Sequence, residues 1–291
     1  MDLYFSPLAC SMATRIALYE TGANVNFLEV DSRTKVVQND GSNYREVSPL
    51  ALVPTLRTDD GQLLTENAAV LQYVGDRFPE AGIATGPGIE RTRLHQWLCF
   101  VGTELHKGTF STLLDRKAPA EVKAYILGKA TPRFDYLDNY LKGRQFLLGH
   151  FSVADAYLVT ALSWSQYVPQ IELANWPNVQ AYYERLRARP SVARAMAEEF
   201  ELYKAEVARH KKRPLDSPLA TAERRHGGSY SEPPRGSYQN GLSFKPGTSA
   251  GRGPGAVQWK RRSFSAIAIS LMLASRRRIR PCSSNSHCSL P

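Results

Sequence analysis

The first eighty residues alternate between strand and helix patterning, and the order of that alternation limits the folds open to the chain more than any other feature. Asp2-Leu3-Tyr4-Phe5 is aromatic and apolar and stops at a Ser6-Pro7 breaker, as a strand does. Ser11 to Thr21 reads as a helix, with Ile16, Ala17 and Leu18 on or near its apolar face and Gly22 as its stop. Asn26 to Val30 reads as a second strand, Arg33-Thr34-Lys35 as a polar loop, and Tyr44 to Val47 as a weak helical turn before Ser48-Pro49. Val53-Pro54-Thr55-Leu56 opens a third strand, and Asp59-Asp60-Gly61 turns it into Gln62-Leu63-Leu64. Thr65-Glu66-Asn67 precedes an amphipathic helix from Ala68 to Phe78, with Val70, Leu71 and Val74 inward and Pro79 beyond its end.

A βαβ unit, a loop, a β-hairpin and a closing helix, with a cysteine at the first helix start and Val-Pro before the third strand, is the thioredoxin arrangement. Cys10 lies where the first strand hands over to the first helical turn, so unpaired N–H groups and the helix dipole favour its thiolate. Such placement lowers a thiol pKa from about 8.5; a dipole contribution of roughly 1 kcal/mol corresponds to about 0.7 pH units. Position 13 is Ala, which excludes a two-thiol redox motif. A small buried thiol filling a helix–strand corner fits the position equally well. Pro54 cannot donate to a sheet ladder. If its peptide bond is cis, the Val53 backbone is free to pair with an extended peptide-like ligand; if trans, it is an ordinary edge proline.

Residues 81–89 are rich in Gly and Pro and read as a linker between a domain over 1–80 and one over 90–210. The second domain shows helical spacing and no strand-like alternation. Leu94, Trp97, Leu98, Val101 and Leu105 mark one face of a long helix that carries His106-Lys107 toward its end, and Ala120 to Leu141 makes another. At Phe151-Ser152-Val153-Ala154-Asp155, Ser152 caps a helix and Asp155 reaches back to it, opening an apolar helix from Ala154 to Trp164. Trp176-Pro177 and Pro190-Ser191-Val192 open the last two helices.

The net charge of +10 suggests nucleic acid or an anionic membrane until its distribution is read. From Lys211 onward there are 15 of the 37 Lys+Arg and 3 of the 27 Asp+Glu, which leaves 22 basic and 24 acidic residues, a net charge of −2, in 1–210. The basicity belongs to residues 211–291, a low-complexity stretch of Gly, Pro, Ser and Arg that reads as a disordered basic tail. Its apolar run Ala266–Ala274 is about half the length that spans a bilayer. An interfacial anchor or nucleic-acid arm is one reading of it, and an extension without function, which includes out-of-frame translation past His210, is the favoured one. Four cysteines make no disulfide framework, and the acidic start Met1-Asp2 is no signal peptide, which points to the cytoplasm.

Taken together, Leu3-Tyr4-Phe5-Ser6-Pro7-Leu8-Ala9-Cys10-Ser11, Glu20-Thr21-Gly22, Val53-Pro54, Leu64-Thr65-Glu66-Asn67-Ala68, Glu104-Leu105-His106-Lys107-Gly108 and Ser152-Val153-Ala154-Asp155-Ala156-Tyr157 resemble the bacterial glutathione transferases of the beta class over residues 1–205. The resemblance implies a thioredoxin-like α/β domain followed by an all-helical one, a homodimer, and glutathione bound between the domains as co-substrate, with no metal, nucleic acid or membrane. It also implies the site. Cys10 faces the glutathione sulfur and forms a mixed disulfide with it; Val53 pairs its backbone with the cysteinyl part. Glu66 meets the γ-glutamyl ammonium, a backbone N–H at Glu66-Asn67 meets its carboxylate, and Lys35 meets the glycyl carboxylate. Thr103, Glu104 and His106 approach the thiol, with His106 as proton acceptor or hydrogen-bond partner for sulfur and a pKa near neutrality. Without the resemblance His106 is a helix-end surface histidine.

Two positions depart from the family pattern. Cys99 stands where Asn is common, placing a second thiol by the ligand, either buried and apolar-like (the favoured reading) or redox-active. Asn67 stands where Gly or Ser is usual. The implied activity is transfer of the glutathione sulfur to a small hydrophobic electrophile. The alternatives are a glutathione-dependent disulfide reductase and a non-catalytic glutathione-binding module.

Overall fold

The strand β1 (Asp2–Phe5) lies at the centre of the sheet, parallel to β2 (Asn26–Glu29) with Leu3 opposite Phe27, and antiparallel to β3 (Thr55–Arg57) with Leu3 opposite Leu56. A short β4 (Leu63–Leu64) continues the order β2-β1-β3-β4. These elements come from a computed structural model, which describes residues 1–212. A parallel pair needs a crossover, and α1 (Ser11–Thr21) supplies it; the antiparallel β3–β4 pair needs only its turn, where Gly61 takes a φ of 82°. The helix α2 (Asn67–Arg77) closes the layer. The first part of the chain is thus thioredoxin-like, as expected. Its second strand stops at Glu29, and Val30 only bridges to Val37; its third begins at Thr55 instead of Val53.

The rest is helical: α3 (Ile89–Phe100), a π-helix (Val101–Phe110), α4 (Ser111–Leu114), α5 (Ala120–Leu141), α6 (Val153–Ser163), α7 (Pro177–Arg187) and α8 (Pro190–Lys212). Every residue of α6 is buried, as befits a helix apolar all round that serves as the centre of its domain. The expected capping box opens it: Asp155 Oδ2 accepts from the Ser152 N–H at 2.9 Å, and Oδ1 accepts from the Leu147 N–H and the Tyr182 hydroxyl. The expectation of one long α-helix through His106 is corrected, because hydrogen bonding shifts to the wider i→i+5 pattern at Val101. The last helix runs two residues past the expected boundary at His210, to Lys212. The expected disorder of the tail and its apolar run concern residues outside those described.

The helix α1 packs on α2, α6 and α8, so sheet layer and helical domain share one core. Arg15 is the polar centre of that junction. Its guanidinium lies 4.1 Å and 4.3 Å from the rings of Phe5 and Phe27 and pairs with Glu198 and Glu199 of α8, each at 3.2 Å. The loop before α1 is gripped from the same side. Leu8 donates its N–H to Glu199 at 2.7 Å, and its carbonyl accepts from the Trp164 indole at 2.9 Å. These bonds place Cys10 against the helical domain.

Candidate active site

Cys10 occupies the N-cap position of α1, as its place in the sequence suggests. Its thiol donates to the Val53 carbonyl at 3.2 Å, and the Val53–Pro54 peptide bond is cis. Burial pushes the thiol pKa up from 9.0 to about 11, against Lys107 and the local backbone N–H groups, which favour the thiolate. The expected lowering is overturned: removing the anion from water costs more than the helix start returns, and the bond to Val53 is one that only the protonated thiol makes.

His106 lies on the π-helix. Its Nδ1 lies 2.7 Å from the Tyr157 hydroxyl, and its ring leans on Trp164 with centroids 4.9 Å apart. Burial, with the neighbouring Lys107, pushes its pKa down from 6.5 to about 4, so the ring is neutral at pH 7 and the expected near-neutral titration is overturned. The wide turn around His106 depends on Gly108, where a Cβ would fall 2.6 Å from the Thr103 carbonyl oxygen.

The other expected residues divide. Glu66 is exposed at the start of α2 with a φ of 61°, and its side chain caps nothing in the helix. The Asn67 side chain turns inward, accepting from Thr14 at 3.0 Å, which leaves backbone N–H groups at the first turn of α2 for a ligand. Lys35 is partly buried with a φ of 60°; burial and Arg45 lower its pKa against Asp31 and Glu206, and it forms no ion pair among the described residues. Cys99 is exposed on α3, which corrects the expectation of a buried thiol. Thr103 donates to the Cys99 carbonyl at 2.9 Å, and Glu104 pairs with Arg133 of α5 at 2.7 Å. Among the described residues no hydrogen bond or ion pair joins Lys35, Cys99, Thr103 or Glu104 to the Cys10–Val53 and His106–Tyr157 pairs.

Family models for the N-terminal and C-terminal domains of glutathione S-transferase match residues 2–82 and 96–190. Glutathione S-transferase GstA of Escherichia coli O157:H7 is 36% identical over 201 residues, 68% of this chain and 98% of its own. The chain belongs to the glutathione S-transferase family. Two solved members are similar throughout the same region. A sphingomonad glutathione S-transferase complexed with glutathione is 38% identical with a TM-score of 0.65, and a bacterial beta-class glutathione S-transferase of Sphingomonas chungbukensis is 39% identical with a TM-score of 0.65. Each covers 68% of this chain and 98% of its own.

Within this glutathione S-transferase fold, three residues near the thiol escaped the sequence reading. Lys107 biases both Cys10 and His106 electrostatically. Trp164 links the Leu8 carbonyl to the His106 ring. Tyr157 raises the strongest point: burial pushes its pKa up, the Cys10 and Glu66 charges add to the rise, and the Asn67 amide opposes it. Its signal was present in the sequence, since a phenol hydroxyl in an otherwise apolar helix must find a partner.

Proposed function

We propose that this glutathione S-transferase joins the sulfur of glutathione to an electrophilic carbon of a small hydrophobic substrate, releasing the leaving group with a proton, and that it works as a cytoplasmic homodimer. The observation that carries the proposal is the pairing of a half-buried, protonated Cys10 with the Val53 carbonyl, in a chain that also holds a neutral His106. In this reading the tripeptide runs from the start of α2 to Lys35. Glu66 meets its ammonium, the Asn67 N–H its γ-glutamyl carboxylate, the Val53 backbone its cysteinyl unit, and Lys35 its glycyl carboxylate. The thiol side is bordered by His106, with Cys99, Thr103 and Glu104 on the same helical segment.

A protonated Cys10 is a weak nucleophile, so the sulfur that attacks the electrophile is that of glutathione. Cys10 forms its mixed disulfide only after its proton passes to solvent. The S–S bond to one half of oxidised glutathione then forms as the other half leaves as thiolate. The same protonation disfavours the disulfide-reductase reading, which needs a Cys10 thiolate.

Conjugation of an activated aryl halide by wild type and Cys10→Ala, with glutathione adducts mapped by peptide mass spectrometry, tests the assignment. Turnover retained in Cys10→Ala, with the adduct on that peptide gone, is expected. Loss of conjugation in Cys10→Ala would move the chemistry onto Cys10. Glutathione binding without turnover of any electrophile by the wild type would leave a non-catalytic binding module.

A further inference from the structure

The last turns of α8 hold the loop after β2 through Glu206, Arg209 and His210, whose spacing puts them on one face of the helix. Glu206, 4% exposed, accepts the Ser32 N–H on Oε1 at 2.7 Å, from 174 residues further along the chain. Arg209 pairs with Glu29 at the end of β2, and His210 Nε2 lies 3.0 Å from Oδ2 of the buried Asp31. The rest of the turn hangs on Asp31. Its Oδ1 accepts from the N–H groups of Arg33 and Thr34 at 3.0 Å and 2.9 Å, and its carbonyl accepts from the Lys35 N–H at 3.0 Å. Lys35 is left with a φ of 60°, a left-handed conformation that a residue with a side chain keeps only where its surroundings fix it. Ser32 and Arg33 are exposed, so packing does not fix this turn; the carboxylates of Asp31 and Glu206 do.

We propose that Glu206 and His210 are positioning residues for glutathione: by holding Ser32 and Asp31 they set the turn from which Lys35 meets the glycyl carboxylate. The inference rests on the proposed reading in assigning that carboxylate to Lys35. Its consequence is a division of labour along the tripeptide. The γ-glutamyl and cysteinyl units fall to Glu66, Asn67 and Val53, none of which bonds to α8 among the described residues. Loosening the end of α8 therefore weakens the grip on the glycyl end alone. A lysine in a loosened turn is still a cation, but it must be ordered before it can meet its carboxylate, and that ordering is subtracted from affinity. A ligand site carried by the sheet layer is thus completed by the final helix.

Calorimetric binding of glutathione, and of γ-glutamylcysteine, which lacks the glycyl unit, to the full chain tests this. Glu206→Ala and His210→Ala are each expected to raise the glutathione Kd about fivefold to tenfold, with the γ-glutamylcysteine Kd moving less than about twofold. Glu206→Gln keeps an oxygen that accepts from Ser32 and is expected to bind both ligands as the wild type does. Equal weakening of both ligands would mean a general loss of structure, and unchanged glutathione affinity in both alanine variants would mean that the turn holds itself; either overturns the inference. Weakened glutathione binding by Glu206→Gln overturns the role given to the Ser32 bond. A variant that binds γ-glutamylcysteine as the wild type does is folded, and His210→Ala, near the end of α8, decides the matter should Glu206→Ala not fold. Lys35→Ala separates the two levels. Unchanged glutathione affinity in that variant overturns the assignment of Lys35 and this inference with it. A loss there, beside wild-type affinity in the α8 variants, overturns this inference and leaves the proposed site standing.

Discussion

At Cys10 two effects of known sign oppose each other on one sulfur. The start of α1 and Lys107 favour the anion, burial disfavours it, and burial prevails with a pKa of about 11. Cys99, exposed on α3, has no such cover. Alkylation by iodoacetamide at pH 7.5, followed by peptide mapping, is therefore expected to mark Cys99 before Cys10, with the Cys10 rate still climbing at pH 9.5 and the two converging in urea. Labelling of folded Cys10 at the Cys99 rate would contradict its partial burial and raised pKa. Of this site, the strand–helix junction was legible, because Ser6-Pro7 and the spacing to Leu18 are local signals. The sign of the thiol shift was not legible. It is set by burial, to which a helical domain contributes whose closeness no local pattern encodes.

Among the elements, α6 was the most readable, since a capping box and an apolar run are both short-range. Asp155 there satisfies the Leu147 and Ser152 N–H groups and the Tyr182 hydroxyl at once. Asp155→Ala would leave these buried donors without partners, at roughly 1–3 kcal/mol each. A loss of about 3 kcal/mol or more in urea unfolding is expected, and a loss below about 1 kcal/mol would show that water or repacking replaces the carboxylate. The π-helix was unreadable for the complementary reason. Apolar spacing from Leu94 to Leu105 fits an α-helix, and the change of pattern answers to packing against α5 and α6 instead. Tyr157 was quoted within the α6 motif yet given no chemistry, because its partners lie on other elements.

At the scale of the molecule, the junction of α1 with α8 ties stability to pH. Burial raises the Glu199 pKa from 4.5 to about 8 in the folded state, against the charge of Arg15 and the Leu8 N–H. Folding thus takes up a proton at this group between those values. Its contribution to stability is complete below pH 4.5 and is lost as the pH rises through about 8. Urea unfolding at pH 6 and pH 9 is expected to show the wild type losing stability relative to Glu199→Gln on going to the higher pH. An unchanged difference would mean that Arg15 keeps the carboxylate ionised throughout.

The grip on Leu8 has a further consequence, in the order of synthesis. The loop that carries Cys10 is among the first parts of the chain to leave the ribosome, yet its N–H waits for a partner 191 residues later and its carbonyl for one 156 residues later. An N-terminal layer that folds first during translation therefore does so with its thiol corner unset. Each nascent chain acquires that corner only when α8 has emerged, so a truncated product with an intact sheet still lacks it.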